Sequence, residues 1–148
     1  MRTGRTIVAA IALFAIATTV RAEPDDAYRL ALNNFGHETV MCAAYYTMLA
    51  RLMNTRTDGE QGAKRAIEVA TTLIERAFMI ATVIGQKSET VGARYQVSVK
   101  SMTEEIGGDA VNASILFVRN GDPCKAAAEN PIPGMQYWIQ KAEAEAGK

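Results

Sequence analysis

The residues with the most obvious capacity for chemistry lie close together in the first half of the chain. His37 and Met41 are four residues apart, so on a helix they share one face and could offer a nitrogen and a sulfur ligand to copper, or an axial ligand to haem. The sequence has no second histidine and no CxxCH haem-attachment motif, and methionines at helical spacing commonly fill gaps in a core. We therefore predict no cofactor and keep a metal, haem or small-ligand site at His37 and Met41 as the alternative.

Cys42 and Cys124 are the only cysteines. A nucleophilic thiolate at Cys42 would need a base within hydrogen-bond reach, and His37 lies on a different part of the same helix surface. Two cysteines in an oxidising compartment more often form a structural disulfide. The sequence therefore predicts a bond between Cys42 and Cys124.

Catalytic motifs are absent from the sequence. Asp25-Asp26 stands at a predicted helix start, where acids are favoured, and the adjacent Glu104-Glu105 point to different sides of a helix. There is no GxSxG, no phosphate-binding glycine loop, no HExxH and no EF-hand pattern. These absences favour a protein that is not an enzyme.

The first 22 residues have the pattern of a secretory signal peptide. Arg2 and Arg5 precede an apolar run over residues 6–20, and small residues near Ala22 predict cleavage between Ala22 and Glu23. An uncleaved membrane anchor is the alternative, but the run is shorter than the ~20 residues that a spanning helix needs. We expect a periplasmic or secreted protein with no stable membrane insertion after cleavage, and a single domain over residues 23–148.

The charge balance disfavours binding to nucleic acid. The chain has 16 basic and 16 acidic residues, and cleavage would remove three arginines and no acid, which leaves 13 basic residues and a net charge of −3. A protein that binds nucleic acid needs a basic face instead.

Apolar periodicity predicts an all-α protein, an antiparallel bundle of three long helices plus a short C-terminal helix. The first helix runs to about Asn54 and has two apolar seams, so several neighbours should enclose it, Tyr45 and Met48 included. The second helix starts at a Thr57–Glu60 capping box and ends at Gly85. Gly36, inside the first helix, would permit a bend or the close approach of another helix.

The third helix is predicted from Ser88 to about Arg119, kinked at Gly107-Gly108, because the apolar register continues through the glycines. A strand over residues 95–99 is the alternative, but it has no partner strand. Asn120-Gly121 should end this helix, one or two helical turns should follow from Cys124 to Glu129, and a fourth helix should span Met135 to Ala146.

The aromatic residues near the C-terminus are the candidate binding residues. Tyr137 and Trp138 follow a Pro-Gly-rich connector, and Trp138 should either clamp the C-terminal helix to the bundle or face a partner. With no catalytic motif, the sequence favours a non-catalytic protein that binds a protein or peptide partner in the cell envelope, as a chaperone, an adaptor or an inhibitor or immunity-type protein. No oligomeric state is predicted.

Overall fold

The computed structural model describes residues 26–147, and this part of the chain is helical with no β-strand. The predicted signal peptide, residues 1–22, and its cleavage site lie outside the described residues. No helix between residues 26 and 147 is long and apolar enough to cross a membrane. The elements are α1 (Asp26–Asn54), α2 (Glu60–Val83), α3 (Ser88–Glu105), a 3₁₀ helix (Ala110–Ala113), α4 (Ser114–Glu129) and α5 (Ile132–Ala146).

Helix α1 is the centre of the fold and contacts all four other α-helices. Tyr45 and Met48 are buried, as the two apolar seams predicted, and residues 95–99 are helical rather than a strand. His37, which begins one of these seams, is exposed. The enclosure of α1 therefore includes its central turns but not the His37 position.

Alanines let α2 pack closely against α1 in the antiparallel direction. The buried face of α2 contains Ala63, near the end of α1, and Ala77, near Val40 of α1. At Gly36 a Cβ atom would lie 3.2 Å from Cγ2 of Ile80, so this glycine does permit a close helix approach. Ile67, also on α2, is 47% exposed. Apart from Leu73, the buried residues of α2 are alanines, which allow its backbone to lie close to α1.

The start of α2 differs from the predicted capping box. Gly59 precedes the helix, the first turn has no side-chain cap, and the carbonyl of Gly59 accepts a hydrogen bond from the amide of Ala63 at 2.8 Å. Thr57 therefore precedes the capping position by two residues. The prediction was wrong because the connection is tight: the amide of Gly59 donates back to the Arg56 carbonyl.

The predicted third helix is two helices. Helix α3 ends at Glu105, and Gly107 and Gly108 have φ values of +59° and +72°, which favour glycine. Their amides donate to the carbonyls of Glu104 and Thr103, the bond pair of a Schellman motif. The side chain of Asp109 then caps the 3₁₀ helix. These local hydrogen bonds satisfy carbonyl groups at the end of α3. The chain therefore reverses at Gly107 and Gly108, although the apolar spacing of the sequence continues beyond them.

This early reversal explains the disulfide. Helix α4 runs antiparallel to α1, with Phe117 beside Tyr45 and Cys124 bonded to Cys42 at a Cα–Cα distance of 5.0 Å. The predicted pairing is confirmed, but the predicted helix end at Asn120-Gly121 is wrong, since α4 continues through Pro123 to Glu129. Pro123 costs the helix one hydrogen bond at an exposed position, where water can take its place.

Helix α5 begins three residues before its predicted start at Met135. Pro131 precedes the helix and Pro133 lies in its first turn, where amides have no partner inside a helix, so a proline costs nothing there. The amide of Met135 donates to the Pro131 carbonyl at 3.1 Å. The proline-rich connector is thus the first turn of the helix.

Candidate functional site

Two close contacts hold α5 against the N-terminal half of α1. A Cβ atom on Gly134 would lie 3.3 Å from Cε2 of Phe35, so the two helices nearly touch at this glycine. One turn further along, Nε1 of Trp138 donates a hydrogen bond to Oε2 of Glu38 at 2.6 Å. Trp138 therefore clamps α5 onto α1, one of the two roles predicted for it.

On one side of this contact lies an open cleft of about 310 Å³, which we call the apolar cleft. Its lining comes from α1, α2 and the connector and first turn of α5: Tyr28, Leu32, Phe35, Arg76, Met79, Ile80, Val83, Pro131, Ile132 and Met135. Arg76 is its only charged residue, and Nη1 of Arg76 donates to the Ala127 carbonyl at the end of α4. The cleft thus has an almost wholly apolar wall.

The rim of the apolar cleft is exposed. Met79 is 63%, Val83 60% and Ile132 56% exposed. Large apolar side chains exposed together around a concavity are typical of binding surfaces, whereas single exposed ones are ordinary. The apolar cleft is therefore a candidate site for apolar side chains of a partner.

On the other side of α5 lies a second open cleft, of about 470 Å³, which we call the aromatic cleft. Its lining residues are Asn34, His37, Glu38, Met41, Gly134, Tyr137 and Trp138. The four side chains considered from the sequence for binding, His37, Met41, Tyr137 and Trp138, thus line one concavity. Sequence spacing predicted that His37 lies near Met41 and that Tyr137 lies near Trp138. It did not predict that the two pairs line the same cleft.

Charged side chains lie next to the aromatic rings at the aromatic cleft, Glu38 in its wall and Lys141 beside it. The rings of Tyr137 and Trp138 are 5.2 Å apart between centroids and inclined by 74°. Nζ of Lys141 lies 4.9 Å from the Trp138 ring centroid, within cation–π distance. The carboxylate of Glu38 accepts the Trp138 indole bond on the α1 side. Such a surface can bind polar and charged groups that an apolar wall would exclude.

A metal site has little support from the clefts. Within residues 26–147, no group of three or more His, Cys, Asp and Glu side chains is placed to hold a metal ion. His37 and Met41 share the aromatic cleft and supply one nitrogen and one sulfur donor. The metal or small-ligand alternative stays a prediction.

Neither Cys42 nor Cys124 has a free thiol that could act as a nucleophile. The sulfur atoms of Cys42 and Cys124 are bonded to each other, and both residues are fully buried. The part played by Cys42 is to fix α4 against α1.

Sequence reasoning missed Glu38, Lys141 and most of the apolar rim. Lys141 follows Trp138 by three residues, a spacing that brings side chains together on a helix, so this contact had a local signal. Glu38 and Trp138 are 100 residues apart, and only the fold brings them together. Met79 and Val83 are four residues apart and share one helix face, but this face is not the buried face of α2 that the apolar seam predicted.

Comparison of the chain with protein-family models, curated proteins and solved structures finds no match.

Proposed function

We propose that this protein is exported and binds a protein or peptide partner in the cell envelope without catalysis, as a chaperone, an adaptor or an inhibitor or immunity-type protein. The observation that carries the proposal is the apolar cleft with its exposed rim of Met79, Val83 and Ile132. Burial of such a rim by apolar side chains of a partner releases water and drives association.

Export is supported by two independent features. The apolar run at residues 6–20 follows two arginines and ends near a signal-peptidase pattern. The disulfide between Cys42 and Cys124 is of the kind that persists in oxidising compartments. For the protein recovered from the cell envelope, intact-mass measurement should give the mass of a chain that begins at Glu23.

Site-specific photo-cross-linking in the native organism tests the binding proposal. A benzophenone amino acid at Met79 should give a defined adduct with a partner, while the same group at Val97, 68% exposed on α3, should not. Ile132→Glu, on the opposite rim, should remove the adduct because a buried carboxylate opposes apolar contact. Identical adducts from positions 79 and 97, or none from either, would overturn the proposal.

The second candidate function is a carrier of a small ligand, metal or haem. It is favoured by the volume of the aromatic cleft and by the presence of His37 and Met41 in its wall. Visible absorbance and elemental analysis of protein purified from its native compartment test it. An absorbing or metal-containing sample that loses its ligand in His37→Ala supports the carrier, and a colourless, metal-free sample excludes metal and haem.

A further inference from the structure

We infer that the aromatic cleft binds a basic side chain, lysine or arginine, of the protein partner. The inference rests on the proposed function and names the chemistry that the partner must bring to this side of α5. The grounds are the aromatic pair Tyr137–Trp138, the carboxylate of Glu38 and the position of Lys141.

The aromatic pair offers ring faces to a cation. Tyr137 is 57% exposed, Trp138 is half-buried, and their inclined rings form two walls of the cleft. The negative face of an aromatic ring attracts ammonium and guanidinium groups, most strongly for tryptophan. An anionic group gains nothing from the same faces.

Glu38 supplies negative charge beside these rings. Its side chain is half-buried, and Oε2 accepts the Trp138 indole bond. No lysine, arginine or histidine between residues 26 and 147 forms an ion pair with Glu38. A carboxylate keeps further acceptor positions after one hydrogen bond, so Glu38 can still receive a cation.

The Trp138 ring, which lines the cleft, already has a cation of its own chain over it. Nζ of Lys141 lies 4.9 Å from the Trp138 ring centroid, and Lys141 is an exposed residue near the free end of α5. Lys141 thus shows that an ammonium group fits over this ring. It also competes with any basic side chain that a partner brings.

Because Lys141 competes for the Trp138 ring, its removal should strengthen the binding of a basic side chain. Removing a positive charge from a binding site for cations ordinarily changes affinity only through long-range electrostatics. Here, loss of Lys141 frees the Trp138 ring, so Lys141→Gln should bind a basic peptide about two- to fivefold more tightly, the range expected for one cation–π contact at an exposed site.

Glu38→Gln separates charge from structure. The glutamine oxygen can still accept the Trp138 indole bond, so the clamp on α5 is kept while the negative charge is lost. We expect this variant to unfold like the wild type and to bind a basic peptide at least about threefold more weakly.

Trp138 is the only tryptophan, so its fluorescence reports on the aromatic cleft alone. The protein from Glu23 onward is titrated at constant ionic strength with capped hexapeptides that differ at their central positions: lysine, arginine or glutamine. The lysine and arginine peptides should give a saturable change and the glutamine peptide none. Choline is the matched small cation, and a weaker response to it than to the peptides shows that the peptide backbone adds to binding.

Lys64→Gln is the control for net charge. Lys64 is exposed at the start of α2, at the opposite end of α1 from the aromatic cleft, and its loss changes net charge as Lys141→Gln does. Equal affinities in Lys64→Gln and Lys141→Gln would overturn the inference, as would a glutamine peptide that binds as well as the lysine peptide.

The two proposals fail separately. In one outcome, position 79 gives an adduct, but neither Glu38→Gln nor Lys141→Gln changes the affinity for basic peptides. This outcome supports the proposed function and contradicts the cation site. Basic peptides that bind as expected, with no adduct from position 79, keep the cation site and remove the proposed binding through the apolar cleft.

Discussion

Gly59 shows how a single residue constrains the connection between α1 and α2. A Cβ atom at this position would lie 1.8 Å from the carbonyl oxygen of Met53 and 2.6 Å from its carbon. Both are main-chain atoms at the end of α1, so no side-chain rotation relieves the clash. Only a glycine fits between these two backbone segments.

Gly59→Ala should therefore lower the free energy of unfolding by at least about 2 kcal/mol, because the turn must shift. Gly92→Ala is the matched control: nothing lies within 4 Å of its Cβ, and it sits inside α3. There, alanine should stabilise the protein by up to about 1 kcal/mol. Urea unfolding measures both, and a neutral Gly59→Ala would contradict the turn geometry.

Tyr45 and Tyr46 couple stability to alkaline pH. Burial raises the pKa of Tyr45 above its ordinary value of 10.0, and Tyr46 and Asp122 raise it further. Burial, then Glu129, likewise raises the pKa of Tyr46. A raised folded-state pKa means that the stabilisation is complete below pH 10.0 and is lost as pH rises through the folded-state pKa.

Tyr45→Phe should accordingly lose less thermal stability than the wild type as the pH rises above 10.0, because phenylalanine cannot ionise. Lysine titration affects both proteins equally, so the difference between them isolates the tyrosine. Melting curves at several pH values measure the difference, and parallel curves for Tyr45→Phe and wild type would refute the coupling.

At the scale of elements, the Gly107-Gly108 turn decides where the chain reverses. Both glycines have positive φ, and nothing lies within 4 Å of a Cβ built on either. A substitution here therefore tests backbone conformation without a steric clash. A continuous helix and a helix end predict effects of opposite sign.

Gly107→Ala should destabilise the protein by about 1 kcal/mol, the cost of placing an L-residue in the left-handed region. Inside a continuous helix the same change would stabilise it, as expected for Gly92→Ala. Urea unfolding of Gly107→Ala beside Gly92→Ala gives the sign directly. Stabilisation in both variants would show that α3 and α4 are one helix.

The predicted helices were largely correct, whereas several of the predicted helix ends were wrong. Apolar spacing located α1, α2 and most of α3, because a buried helix face repeats over a few turns. At Gly107 the apolar register favoured a continuous helix and the glycines favoured an end, and the bonds of a Schellman motif settled it. At Pro133 the proline indicated a break, although a proline is compatible with a first turn.

At the scale of the whole molecule, the disulfide joins two helices that the sequence separates widely. The bond between Cys42 and Cys124 closes a loop of 82 residues in the unfolded chain. In the folded protein it lies in the main core, beside buried residues such as Leu73 and Leu116. The bond therefore reduces the number of conformations open to the unfolded chain, and it anchors α4 to α1 in the folded protein.

The double variant Cys42→Ala/Cys124→Ala should lower the free energy of unfolding by about 2–5 kcal/mol, as loss of a native disulfide does in small exported domains. Urea unfolding measures the loss. In the wild-type protein, alkylation followed by non-reducing mass spectrometry should find no free thiol. Two alkylatable cysteines, or unchanged stability in the double variant, would contradict a structural bond.

The sequence alone determined that the described chain is helical, that Tyr45 and Met48 would be enclosed, and that the two cysteines would pair. Each of these follows from composition or from spacing within a few helical turns. The tertiary structure decided that the chain reverses at Gly107, which side chains flank α5, and that Glu38 meets Trp138 across 100 residues. Such contacts depend on how whole helices pack, and packing is settled by all faces at once rather than by any local pattern.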